Sequence, residues 1–238
     1  MEKKGFHRKL TAILSADVAG YSRLMQGDEA ATVTTLESHK QAFFDLIKQH
    51  RGRVVDSPGD NLLAEFASVV DAVQCAVAVQ KELQARNAEL PENRRMLFRI
   101  GVNLGDVIEE GDRIYGDGVN IAARLESIAD PGGVCVSKTA FDQIETKLPF
   151  GYEFLGEQTV KNIAKPVGAY RVVLEPRVTK GKGSGFRGRG SGRRMALVAV
   201  AAVLVAAFGF GVRKAAAKRR REDGESQVRA ELKRRRKA

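Results

Sequence analysis

At 238 residues, 43% of them hydrophobic, the chain has room for one domain with a core of ordinary size and some additional segments. Its formal net charge of +11 belongs to one end: residues 1–175 hold 21 Lys+Arg against 25 Asp+Glu, a net −4, whereas residues 176–238 hold 19 against 4, a net +15. That pattern excludes a domain that is basic throughout, and the two cysteines, Cys75 and Cys135, lie in separate apolar stretches that read as buried free thiols of a reducing compartment and not as a disulfide.

The opening segment MEKKGFHRKL has no apolar run of the kind that forms a secretory leader, which assigns the first domain to the cytoplasm. KLTAILSADV at 9–18 is short and apolar and reads as a buried strand ending before Gly20. Residues 28–50 read as a helix capped by Asp28, with Val33, Leu36, Phe43, Phe44 and Ile47 as its apolar positions. RVVDSPGDNLLAEF reads as strand, turn, strand, because Ser57, Pro58, Gly59 and Asp60 supply turn chemistry between two apolar runs. Ser68 opens a second helix whose Val69, Val73, Ala76 and Leu83 share a face as far as about Pro91. LFRIGVNLGDVIEEG is a strand region turning at Gly111; GDGVNIAARLESIA has helical spacing; GVCVS is a short strand; KTAFDQIETKL is a helix; and GYEFLGEQTV and AYRVVLEP are closing strands. Strands alternating with helices in this way predict an α+β or α/β layered domain over residues 1–175.

Composition then changes. Residues 176–194, with KGKGSGFRGRGSGRR, form a flexible basic Gly/Ser linker. Residues 195–212 are 18 uncharged residues between Arg194 and Arg213, long enough at about 1.5 Å per residue to cross most of a hydrocarbon core of about 30 Å. This run reads as one transmembrane helix, with a buried or surface-lying helix as the alternative. Residues 213–238 form a basic tail. Basic residues flank the run on both sides, so the charge rule for membrane orientation leaves open whether the tail crosses or the segment re-enters.

Two carboxylates interrupt apolar runs. Asp17 ends the first strand and Asp60 sits in the turn of the hairpin; if that strand neighbours the hairpin, both emerge at one sheet edge, where hard oxygen ligands suit Mg²⁺ or Mn²⁺ beside phosphates. From spacing alone, turn or capping roles are the favoured reading of both. In YGDGVNIAARLE, Asn120 and Arg124 are four apart and share a helix face, and Ala122 and Ala123 permit close approach of another element.

Taken together and in order, SADVAGYSRL, VDSPGDNLLAEF, FRIGVNLGDV, YGDGVNIAARLE and VKNIAKP resemble the catalytic domain of class III adenylate and guanylate cyclases over roughly residues 8–173. The resemblance implies an α+β fold with a ferredoxin-like βαββαβ core, acting as a head-to-tail homodimer with active sites at the subunit interface. It implies a purine-nucleotide cyclase that converts ATP, or GTP, to the 3′,5′-cyclic nucleotide and pyrophosphate with two Mg²⁺ or Mn²⁺ ions per site. Asp17, Asp60 and the backbone carbonyl of Val18 match the metal contacts. Asn120 matches the residue that positions the ribose, Arg124 the one that stabilises charge at the α-phosphate, both supplied by the opposite subunit, and Lys161 the phosphate-binding lysine. Adenylate cyclases usually read the base with a Lys and an Asp, each three residues before a motif glycine. Those positions hold Asp56 and Arg113 here, so the charges are exchanged. The pair can read adenine with swapped roles, read guanine, or close on itself as an ion pair, and a one-residue slip would put Asp112 in the second position. Similarity to bacterial adenylate cyclases favours ATP.

Two other functions compete. A catalytically silent cyclase-like module is disfavoured because Asp17, Asp60, Asn120 and Arg124 are all present. A nucleic-acid binder acting through the basic tail is disfavoured because Phe186 is the lone aromatic in the linker and the basic runs flank an apolar span, which points to anionic lipid. The expected location is the inner membrane of a bacterium, with the catalytic domain in the cytoplasm.

Overall fold

The structure, a computed structural model, describes residues 7–161, 163 and 165–176. The linker beyond Pro176, the apolar run at 195–212 and the basic tail lie outside the described residues. Among the described residues no helix is long and apolar enough to cross a membrane.

The chain runs β1 (His7–Val18), α1 (Tyr21–Gly27), α2 (Glu29–Gln49), β2 (Gly52–Asp56), β3 (Leu62–Phe66), α3 (Val69–Ala88), a short 3₁₀ turn (Glu92–Arg94), β4 (Phe98–Glu110), β5 (Arg113–Tyr115), α4 (Asp117–Ile128), β6 (Val134–Ser137), α5 (Lys138–Ile144), β7 (Phe150–Gln158) and β8 (Val167–Pro176). The sheet order is β2-β3-β1-β4-β6-β8-β7, with β5 paired to β4 as a short hairpin arm. Each neighbouring pair among strands β1 to β4 is antiparallel, and with α2 and α3 these strands make the expected βαββαβ core in the order β2-β3-β1-β4; β4 and β6 then pair in parallel.

Alternation along β1 explains the layering, because successive side chains point to opposite faces. Ala12, Leu14, Ala16 and Val18 join the larger core under α2, α3 and α5, with Phe43, Phe66, Phe98 and Leu83. Ile13 faces the other way, into a smaller cluster with Val107, Ile114 and Ala122 of α4. Helix α4 can lie this close to the sheet because β4 has a glycine beneath it: a Cβ on Gly101 would stand 2.2 Å from the Ala122 carbonyl and 2.3 Å from the Glu126 nitrogen. Cys75 belongs to the larger core and Cys135 to a third cluster with Leu125 and Ala169, so the two free thiols are buried apart. Burial pushes both up, to about 12 and about 11 respectively.

Asp28 caps α2 as expected, accepting from the Ala31 backbone N–H at 3.0 Å. Several expectations need correction. Helix α1 and strand β5 are additional elements, each too short to show a period. Val33 is exposed, while Thr32 and His39 take buried places on the inner face of α2. Helix α5 ends at Ile144, not Leu148, although Leu148 still packs into the core.

Candidate active site

The register of β1 brings its last residues to the edge where β3 begins: Ala16 lies opposite Leu62 on one side, and Asp17 opposite Arg99 on the other. Asp60 is half-buried and stands two residues before β3, in a turn where Gly59 takes φ 55°. The first strand does neighbour the hairpin, so Asp17 and Asp60 share one sheet edge. Arg99 lies across from Asp17 and grips its carboxylate with both Nε, at 2.9 Å, and Nη2. This contact raises the Arg99 pKa, helped by the charges of Glu126 and Asp60. Glu126, 7% exposed on the underside of α4, accepts from the Ser15 hydroxyl. Burial is the main reason its pKa is pushed up to about 7; Ser15 and Arg99 pull it down while Asp17 and Asp60 push it further up.

Asp17 thus binds the Arg99 guanidinium, and the charges of Glu126 and Asp60 act on the same group. This excess of negative oxygen donors at a partly open edge is what a divalent cation with phosphate oxygens requires. Asp17 and Asp60 are carboxylates of the kind such an ion takes, on the same edge. Among the described residues no group of three or more His, Cys, Asp or Glu side chains is arranged to hold a metal, so further ligands would have to be backbone, water or phosphate. The Val18 side chain is buried in the core, which leaves its backbone carbonyl as its available donor.

The exchanged pair lies on neighbouring elements. Asp56, exposed at the end of β2, accepts from the Ser57 backbone N–H at 2.8 Å. Arg113 is exposed on β5, where Tyr115 is the main cause of its raised pKa and the charge of Asp56 adds to it. Arg113 and Tyr115 flank the buried Ile114, so they share the outer side of the arm. Among the described residues the two side chains make no ion pair within 4 Å, so of the three readings of the pair, the one in which they close on each other has no contact behind it. Asp112 is instead turned toward Arg53, whose Nη1 donates to the Asp112 carbonyl at 2.9 Å.

Asn120 and Arg124 both stand on the exposed side of α4, away from Gly101, as their spacing requires. Ala122 is buried against β4, whereas Ala123 is exposed. Lys161 is exposed in the connection between β7 and β8. Among the described residues no hydrogen bond or ion pair joins Asn120, Arg124 or Lys161 to Asp17, Asp60, Asp56 or Arg113.

Sequence reasoning overlooked Arg99, Glu126 and Ser15. Arg99 and Glu126 do leave a trace, since each is a charge at a position whose apolar neighbours are buried: Arg99 between Phe98 and Ile100, and Glu126 one helical turn after Ala122. Ser15 leaves none.

The family described as the adenylate and guanylate cyclase catalytic domain matches residues 7–173. The putative adenylate cyclase 3 of Rhizobium meliloti is 45% identical over 168 residues, which are 70% of this chain and 29% of that protein. An adenylate cyclase of Streptomyces coelicolor is 31% identical over 131 residues, 55% of this chain and 32% of that one. The chain thus spans no more than about a third of these curated relatives. Among solved structures, the adenylate/guanylate cyclase/hydrolase from Silicibacter pomeroyi superposes with a TM-score of 0.67 at 38% identity, covering 71% of this chain and 99% of that chain. The adenylyl cyclase CyaB from P. aeruginosa shares the fold, with a TM-score of 0.64 at 22% identity, over 73% of this chain and 98% of its own. Five ordered motifs, a βαββαβ core and paired aspartates on one sheet edge agree with these matches, and the chain belongs to the adenylate and guanylate cyclase catalytic domain family.

Proposed function

We propose that this chain cyclises a purine nucleoside triphosphate, ATP in the first place, to the 3′,5′-cyclic monophosphate and pyrophosphate. The observation that carries this reading is the juxtaposition of Asp17 and Asp60 at one sheet edge within a carboxylate-rich cluster. In the reaction the ribose 3′-oxygen bonds to the α-phosphorus as the bond to the β-phosphate oxygen breaks. Asp17, Asp60 and the Val18 carbonyl would hold the divalent ions. When bound, such ions lower the pKa of the 3′-hydroxyl and neutralise phosphate charge. With an ion on Asp17, Arg99 would be free to turn from it to the incoming phosphates. Asn120 orients the ribose and Arg124 meets charge developing at the α-phosphate; loss of one such preorganised donor costs about 10²–10³ in rate. Lys161 contacts the triphosphate.

Asn120 and Arg124 act on the site of a second copy. Their exposure, without a partner among the metal-edge residues of their own subunit, supports a head-to-tail homodimer. Asp56 and Arg113 face the purine. Arg113 donates to adenine N1 and Asp56 accepts from N6, and guanine is the alternative base for the same pair. The 18 uncharged residues at 195–212 tether the domain to a bacterial inner membrane, with residues 1–194 on the cytoplasmic side. The deciding experiment gives the purified full chain Mn²⁺ with ATP or GTP separately and identifies products by mass. Cyclic AMP as the main product is expected; absence of any cyclic product would overturn the reading.

A further inference from the structure

The turn at residues 57–60 carries an assigned side chain at each end, Asp56 before it and Asp60 as its last residue. Gly59 turns it through the left-handed region, and the turn's interior hydrogen bonds are few: Asn61 N–H to the Pro58 carbonyl, and the Ser57 hydroxyl to the Asn61 carbonyl at 3.3 Å. The backbone is instead held from outside the hairpin. Lys40, on α2, donates from Nζ to the Ser57 carbonyl at 2.9 Å and to the Gly59 carbonyl as well. The base of this lysine is fixed by the core: the adjacent His39 and, one turn on, Phe43 both pack against Phe98, with ring centroids 6.2 and 4.9 Å away.

A surface lysine ordinarily gives its ammonium to water or to a carboxylate. Lys40 is half-buried and makes no ion pair within 4 Å among the described residues; two of its three N–H groups go to carbonyls of one turn. Burial draws its pKa down, while the charges of Asp60 and Asp56 act on it in the opposite direction. One cation therefore lies within electrostatic reach of both carboxylates that flank the turn.

We infer that Lys40 is a positioning residue: it fixes the backbone of the turn at residues 57–60 and so sets Asp60 for the divalent ion and Asp56 for the purine together. This rests on the cyclase reading given above, and it makes a joint claim that a stability role would not make. A lysine that merely braces the fold would change the melting temperature; one that sets the turn changes metal affinity and base preference with the fold intact.

The test uses the full chain. Mn²⁺ affinity is read from the electron paramagnetic resonance of the free ion in the presence of 3′-deoxy-ATP, which lacks the attacking hydroxyl. Base preference is read as the ratio of kcat/KM for ATP and GTP. Lys40→Met should weaken Mn²⁺ binding about tenfold and shift the ATP:GTP ratio by more than about threefold, the scale of losing hydrogen bonds from a charged donor. Its thermal midpoint should stay within about 3 °C of wild type. Lys40→Arg, which keeps the charge and a forked donor, should hold both readouts near wild type. Wild-type Mn²⁺ affinity together with an unmoved ratio in Lys40→Met would overturn the inference, and so would equal impairment of Lys40→Arg. If Lys40→Met does not fold, Lys40→Gln, with one neutral donor left, carries the same comparison. Failure of the wild type to form cyclic product overturns the cyclase reading instead; Mn²⁺ affinity of the variants then decides the role of Lys40.

Discussion

On the side of the sheet covered by α2, α3 and α5, nearly every inward side chain is apolar. The exceptions are tied to backbone, as with Gln80, which donates to the Phe98 and Gly133 carbonyls, held neutral, as with His39, or paired, as with Asp71 to Arg51. On the side covered by α4, the apolar cluster is small and charges dominate. At one end Lys9 bridges Glu65 and Glu109 at 3.1 and 2.7 Å while Arg53 also binds Glu65, and at the other Asp17, Arg99, Glu126 and Asp60 gather. The difference separates stability from chemistry. One face is a packed layer whose sum of contacts holds the fold, and the other carries part-buried charge, the environment in which perturbed groups of functional sites are found.

The largest expected effect lies on the charged face. Asp17→Ala and Asp60→Ala should each lower turnover beyond about 10²-fold. The Asp17–Arg99 pair that Asp17→Ala removes is part-buried but lies at the sheet edge outside the packed core, where the Arg99 guanidinium keeps access to water, so the fold should persist. Mixing Asp17→Ala with Arg124→Ala, each inactive alone, should restore about a quarter of wild-type activity, since half the dimers are mixed and each holds one intact site. Verified mixed dimers without activity would show that the two halves of the site belong to one subunit.

The opposite face should give the opposite result. Phe43 is fully buried and packs on Phe98, and Phe43→Ala should cost about 3–5 kcal/mol in urea unfolding. The kcat of the remaining folded protein should hardly change. A large loss of kcat with little loss of stability would break the division between the faces.

What could be read from the sequence follows the same division. The packed face announces itself through local patterns: the short apolar run of β1, the helical spacing of Leu36, Phe43 and Ile47, and the capping Asp28 all appear where expected. Asp17 and Asp60 were legible as carboxylates interrupting apolar runs, and the five motifs in order gave the family. The contacts that complete the site were not legible, because they join residues far apart in the chain: Arg99 meets Asp17 across 82 positions and Ser15 meets Glu126 across 111. Register decides such pairs, and register depends on pairing between strands that no single segment specifies. Val33 failed for a related reason. Its place on α2 depends on which side the sheet lies, and the helix turns it toward solvent while burying the polar Thr32.

The smallest effect sharpens the comparison with one buried ionisable group from each face. Glu126, on the charged face, titrates at about 7 when folded against an ordinary 4.5, chiefly because burial disfavours its charge. Below about pH 4.5 it is neutral folded or unfolded. As pH rises from there to about 7 the unfolded chain loses the proton and the folded one keeps it, so stability falls by up to about 1.4 kcal/mol per unit. His39, on the packed face, is lowered from 6.5 to about 4, again chiefly by burial, with Arg86 adding to it. Above pH 6.5 it is neutral in both states. As pH falls from 6.5 to about 4 the unfolded chain takes up a proton that the folded chain refuses, and stability falls in the acid direction. Glu126→Gln should therefore gain stability relative to wild type as pH rises from 4.5 to 7, and His39→Gln as pH falls from 6.5 to 4, both measured by metal-free denaturant unfolding. Between pH 4.5 and 6.5 the two wild-type slopes oppose each other, which hides each group until the other is removed. A stability difference from wild type that stays constant with pH in either variant would show that the group is already ionised, or already solvated, in the folded protein.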